Sequence, residues 1–132
     1  MLTVVNTGKT SQLDVIRTNL LQGATMHLFT NDKTPAAGDT PSDYTEPVFS
    51  GYAPITLSAW GAPYINGDTD AQIDEILRTF TMNGGSPENV YGYFITTPGN
   101  VLQWAERRAA GPVQMANPGD EYSVVPQYTL GS

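Results

Sequence analysis

The sequence contains no cysteine, which removes disulfides, thiol nucleophiles and thiolate metal sites together and leaves the redox compartment open. Charge is scarce as well. Charged residues make up 14% of the chain, against roughly 25% in ordinary globular domains. Lys and Arg total 6, and only Arg107 and Arg108 are adjacent. Binding nucleic acid takes a cluster of cations facing phosphates, so no nucleic-acid partner is expected. A net charge of −7 repels anionic lipid, and no run approaches the ~18 apolar residues of a membrane span. Neither feature suggests a membrane partner. The opening MLTVVNTGKTSQ has no basic segment ahead of an apolar one, so no secretory signal is read and synthesis in a cytoplasm is expected.

At 132 residues the chain suits one domain with one core. Hydrophobic residues make up 39% and aromatics 10%. Ser, Thr, Asn and Gln must therefore cover much of the surface, which fits a protein packed against others. Met1 to Gly8 reads as an extended arm anchored by Leu2, Val4 and Val5. Thr10 to Leu21 is the best helix: Leu13, Ile16 and Leu20 recur at helical spacing, and Val15 and Leu21 widen the stripe. Thr10 or Ser11 would cap its start and Gly23 its end. The expected division is an arm and helix over 1–23 and a β-domain over 24–132.

Strand patterns dominate after that. Ala24 to Phe29 is a short run, followed by the polar stretch TNDKTPAAGDTPSDYTEP, a long loop either ordered or mobile. Val48 to Trp60 is β-rich but interrupted by Gly51 and Pro54. Residues 72–82 fit helix and strand patterns, and a strand over Ile76 to Met82 is preferred. A last strand covers Tyr122 to Leu130. Short strands with Gly and Pro punctuation predict an all-β fold, a small antiparallel sandwich or barrel with one N-terminal helix.

The most legible stretch is VYGYFITTPGNVLQWAER, Val90 to Arg107, a β-hairpin around Thr97-Pro98-Gly99-Asn100. Alternation places Tyr91, Tyr93 and Ile95 on one face and Val90, Gly92, Phe94 and Thr96 on the other. Neither face is polar, so both must be covered, by the domain itself or by a partner. Phe94 and Trp104 are assigned to the core side. Tyr91 and Tyr93 are assigned to the opposite side, where a phenol suits a half-wet contact.

Candidate chemistry is sparse. His27 is the only histidine, so a Ser-His-Asp relay would have to include it; no nucleophile motif accompanies it. Met26 and Leu28 flank it, so its ring should point away from them, toward solvent or a contact. Asn66, Asp68 and Asp70 resemble the start of a calcium loop, yet Ala71 and Leu77 stand where such a loop needs Gly and Glu. Carboxylate pairs for glycoside hydrolysis would be Asp43 with Glu46 or Glu106 with Glu121. No P-loop or G-x-G-x-x-G motif is present. No catalytic, metal or cofactor-binding residue is assigned, and no enzymatic activity is expected.

The succession HLFTND, DYTEPVFSGYAPITLSAW, TFTMNGG and VYGYFITTPGNVLQWAERRAAGPVQMANPGDEYSVVPQYTLGS resembles a family of small virion proteins of tailed bacteriophages. The likeness covers about residues 24–132. It implies a non-catalytic virion component, most simply a capsid decoration (cement) protein on the capsid surface, made in the host cytoplasm. Its partners would be the major capsid protein and copies of itself. A tail-associated receptor- or carbohydrate-binding module is the alternative. Leu2, Val4, Val5, Tyr91 and Tyr93 are the candidate interface residues.

Overall fold

The structure, a computed structural model, describes residues 2–130; Met1 of the arm and residues 131–132 of the β-domain lie outside the described residues. It is built mainly from antiparallel strands with one N-terminal helix. Helix α1 spans Asn6–Ile16 and runs on through a wider π-helical turn, Arg17–Leu21. It starts earlier than Thr10 because Thr10 and Ser11 do not cap it. Their hydroxyls bond back to the carbonyls of Asn6 and Thr7 within the helix. The extended arm is accordingly shorter, Leu2 to Val5. The π turn also changes the helix phase, so that Leu13 and Leu21 are buried while Val15 and Leu20 are exposed. Trp60 clamps the helix end by donating its indole N–H to the Leu21 carbonyl at 2.8 Å.

The largest sheet contains β1 (Ala24–Phe29), β2 (Ile55–Leu57), β7 (Gly92–Thr96) and β8 (Leu102–Arg107), in the order β2-β1-β7-β8. Three smaller sheets pack around it. These join β3 (Tyr64–Ile65), β4 (Ala71–Asp74) and β11 (Gln127–Leu130); β5 (Arg78–Thr81) and β10 (Glu121–Val124); and β6 (Glu88–Val90) and β9 (Val113–Met115). Every pairing is antiparallel. Ala24, Met26 and Leu28 of β1 join Tyr93 and Ile95 of β7 in the main core, which also takes in Leu13 and Leu21 of the helix. The segment that the sequence sets apart at 1–23 thus shares its core with the strands.

Residues 72–82 form two strands rather than one. Between β4 and β5, Glu75 is buried, and its carboxylate accepts from Ala59 N, Ile76 N and the Arg78 guanidinium at 2.7–3.1 Å. That cluster breaks the ladder and leaves Ile76 and Leu77 exposed, so the apolar spacing there marks neither a helix nor a strand face. Val48 to Trp60 keeps only β2 as a strand. Gly51 lies in the left-handed region at φ 94°, where a Cβ would meet Thr81 O at 2.7 Å.

The hairpin departs from simple alternation at Tyr91, which lies between β6 and β7 and belongs to neither. β6 pairs with β9, whereas β7 pairs with β1 and β8. All of β7 is buried. Cross-strand register sets Trp104 opposite Ile95 and Phe94 opposite Ala105, so Phe94 and Trp104 occupy opposite faces. Trp104 packs on Trp60 and Tyr128 beside the main core. Phe94 belongs to a second cluster with Phe29 and Tyr44.

Tyr44 comes from the long polar loop, which is ordered. Thr30 N bonds Thr45 O at 2.8 Å, and Asn31 bridges to Asp43 O and Thr45 N. The loop therefore folds back as the second cover of the sheet, with the Tyr44 ring 5.0 Å from both Phe29 and Phe94. Gly92 is what lets this side close. A Cβ there would lie 2.0 Å from Glu106 O and 2.9 Å from the Phe29 ring. Gly92→Ala is expected to destabilise the protein by about 3 kcal/mol or more, since strand backbone cannot move aside cheaply. Denaturant unfolding of the variant measures it; a loss within experimental scatter of zero would refute the close packing.

Candidate functional site

The residues assigned to an interface end in different places. Leu2 is 91% and Val5 65% exposed, while Val4 is half-buried. Tyr91 is half-buried over the Phe29–Tyr44–Phe94 cluster, with the Arg107 guanidinium 5.1 Å from its ring. Tyr93 corrects the sequence reading. It is 2% exposed and packs in the main core, and its hydroxyl donates to Glu106 at 2.7 Å. The break at Tyr91 resets the alternation, so Tyr91 and Tyr93 do not share a face. Burial and the neighbouring Glu106 carboxylate hold the Tyr93 phenol well above its usual range.

His27 does turn away from Met26 and Leu28, and its half-buried ring meets side chains of the chain itself. Its ring stacks on Phe94 at 4.6 Å, nearly parallel. Nδ1 meets Glu46 at 2.8 Å and Nε2 meets the Thr96 hydroxyl at 3.0 Å. Glu46 also accepts from the Tyr52 hydroxyl at 2.5 Å, and that hydroxyl in turn accepts from Leu28 N. Thr96, His27 and Glu46 thus have the connectivity of a hydroxyl–imidazole–carboxylate relay. Thr96 is buried, however, and Phe94 covers one face of the imidazole, so a substrate carbonyl has no room to reach the hydroxyl. The arrangement ties β1, β7 and the loop together.

Asn66, Asp68 and Asp70 form a turn. The Asn66 side-chain oxygen accepts from the backbone N–H groups of Asp68 and Asp70, and Thr69 takes a φ of 63°. That oxygen is therefore committed to the chain's own backbone. Among the described residues no group of three or more His, Asp or Glu side chains converges as a metal site would require. Asp43 and Glu46 do not meet, since Asp43 caps Thr40 N while Glu46 holds His27. Glu106 and Glu121, by contrast, line one cleft, together with Tyr93, Tyr122, Arg108 and Val113. Its volume is about 300 Å³. Sequence reasoning paired these two carboxylates without a means to bring them together. The β5–β10 ladder does so by setting β10 beside the β7–β8 hairpin.

No helix among the described residues is long and apolar enough to cross a membrane. Compared with known proteins, the chain matches no family model, no curated protein and no solved structure.

The loop cover is held electrostatically. Asp39 accepts from Lys33 at 2.9 Å, from the Tyr44 hydroxyl at 2.7 Å and from Ala36 N at 2.8 Å. Those bonds, led by Lys33, lower its pKa to about 2. The folded value lies below the ordinary carboxylate value of about 3.9. The contribution is therefore present above that value and is lost as pH falls through it toward 2. Acid titration should uncover the Phe29–Phe94 face in this window, read as binding of a hydrophobic dye and loss of near-ultraviolet dichroism. Asp39→Asn should bring the same change to neutral pH. If dye binding begins well above pH 4, some other group holds the loop.

Proposed function

We propose that this protein is a virion structural component, most simply a capsid decoration (cement) protein that binds the major capsid shell and further copies of itself on the capsid surface. The observation that carries the reading is the arm. It leaves the helix in extended conformation, with Val5 at φ −76° and ψ 162°, and presents Leu2 and Val5 to solvent. Among the described residues its backbone pairs with no strand. Unpacked apolar side chains on an extended segment suit pairing with another surface.

A receptive edge exists on the same molecule. β8 is the outermost strand of its sheet, and among the described residues no strand pairs with its other edge. An open edge of this kind is ordinarily a liability that proteins cover. In the proposed assembly, the arm of one copy or a strand of the shell covers it. The scarcity of charge and the residues that resemble the tailed-phage family point the same way. The hairpin aromatics do not serve as an exposed sugar platform, because Tyr93 and Phe94 are buried.

Deleting the arm up to Val5 should leave the domain folded, since Leu13 and Leu21 stay in place, while reducing self-association and particle occupancy. Light scattering reports the first and quantitative mass spectrometry of purified particles the second. A full-length copy number near that of the major capsid protein supports decoration. A few copies per particle would move the protein to the tail, and none would end the virion reading.

A further inference from the structure

The cleft between the β7–β8 hairpin and β10 has work left for it that the arm and the strand edge do not use. At about 300 Å³ it lies at the lower end of the range for small-molecule sites. Its polar groups come from separate strands and are only partly engaged. Tyr122 is 7% exposed and lines the cleft, yet among the described residues nothing hydrogen-bonds its hydroxyl. The hydroxyl itself reaches the solvent of the cleft and is open to a ligand, while the ring below it is buried.

Its neighbours have capacity to spare. Glu106 uses Oε2 to accept from Tyr93 and keeps Oε1 free. Arg108 gives Nη1 to the Gly111 carbonyl, which leaves Nε and Nη2. Burial raises the Tyr122 pKa, and the Arg108 and Glu106 charges act on the phenol with opposite sign, so both stand close to it. Glu121 adds a second carboxylate, and Val113 and Val124 supply apolar wall.

This combination selects a chemical class. Two carboxylates against one guanidinium disfavour an anion such as phosphate. A ligand rich in hydroxyls satisfies both kinds of group, because each hydroxyl donates to a carboxylate while accepting from Arg108 or Tyr122. The C–H face of a sugar ring also suits the apolar wall beside the Tyr122 ring. We infer that this cleft binds a neutral saccharide unit, with Tyr122, Glu106 and Arg108 as its polar contacts. The inference uses none of the arm residues and stands independently of the capsid assignment.

The test is titration of the full-length protein with methyl glucoside, methyl galactoside and N-acetylglucosamine, followed by amide and side-chain NMR. Inorganic phosphate serves as the contrasting probe. One of the sugars should give saturable shifts at Ala109, Tyr122 and Ser123 with a millimolar dissociation constant, the range of so small a ligand, within titration to about 50 mM. Tyr122→Phe should weaken that binding about five- to twenty-fold, the loss of one hydrogen bond to ligand. Its melting temperature should stay unchanged or rise, because the hydroxyl removed has no protein partner. Glu106→Gln should weaken binding by a similar factor while leaving an acceptor for Tyr93. Absence of saturable shifts with all three sugars would overturn the inference. So would binding that Tyr122→Phe leaves intact, or tighter binding of phosphate than of any sugar.

Discussion

The constraint that organises this molecule is that β7 has no face to give to water. Gly92, Tyr93, Phe94, Ile95 and Thr96 are all buried, so the sheet needs two covers, and a chain this short has one main core to offer. The helix and the smaller ladders close one side. The other is closed by an irregular loop that places a single aromatic ring, Tyr44, over Phe29 and Phe94. Loops normally run over the surface because their backbone polar groups need partners. This one meets that need with side chains: Asn31, Asp39 and Asp43 each bond backbone N–H or carbonyl groups within it.

The same device explains the acidic composition. Many carboxylates are occupied with orphaned backbone donors. Glu88 accepts from Val48 N and Phe49 N, Glu75 from Ala59 N, and Asp120 from Ala116 N and Asn117 N. The Asp120 bonds hold its carboxyl below the usual range. In a protein with short strands and long connections, acidic side chains do part of what ladder hydrogen bonds do elsewhere. Among the described residues Glu75 is the one buried carboxylate; the others keep the −7 charge at the surface while also fastening the backbone.

That distinction marks how far the sequence could be read. The antiparallel β class, the single helix and the hairpin were legible, because each depends on local pattern. The two-sided burial of the hairpin was also visible as a lack of any polar face. The identity of the second cover was not, since a stretch so rich in Pro, Asp and Gly carries no periodicity to announce that Tyr44 docks. Tyr93 was misplaced because one residue outside either ladder, Tyr91, resets the alternation, and nothing in VYGYF marks that position. Glu75 likewise breaks a strand through a buried carboxylate that bonds Arg78 three residues on and the Ala59 N–H on a remote segment. The Glu106–Glu121 cleft depends on β10 pairing with β5, a contact remote in sequence.

Tyr91 also has a mechanical meaning. On one side of it the chain is hydrogen-bonded into the β6–β9 ladder, and on the other into the four-stranded sheet. Its own N–H bonds Phe29 O and its carbonyl accepts from Arg108 N. The two ladders are therefore joined through one continuous stave, riveted at the crossing by a hydrogen bond on each side. Tension that draws the ladders apart is carried along covalent backbone, and sliding them past one another must shear several hydrogen bonds at once rather than peel them singly. The change of partner at Tyr91 thus makes one stretch of chain a shared member of two pairings.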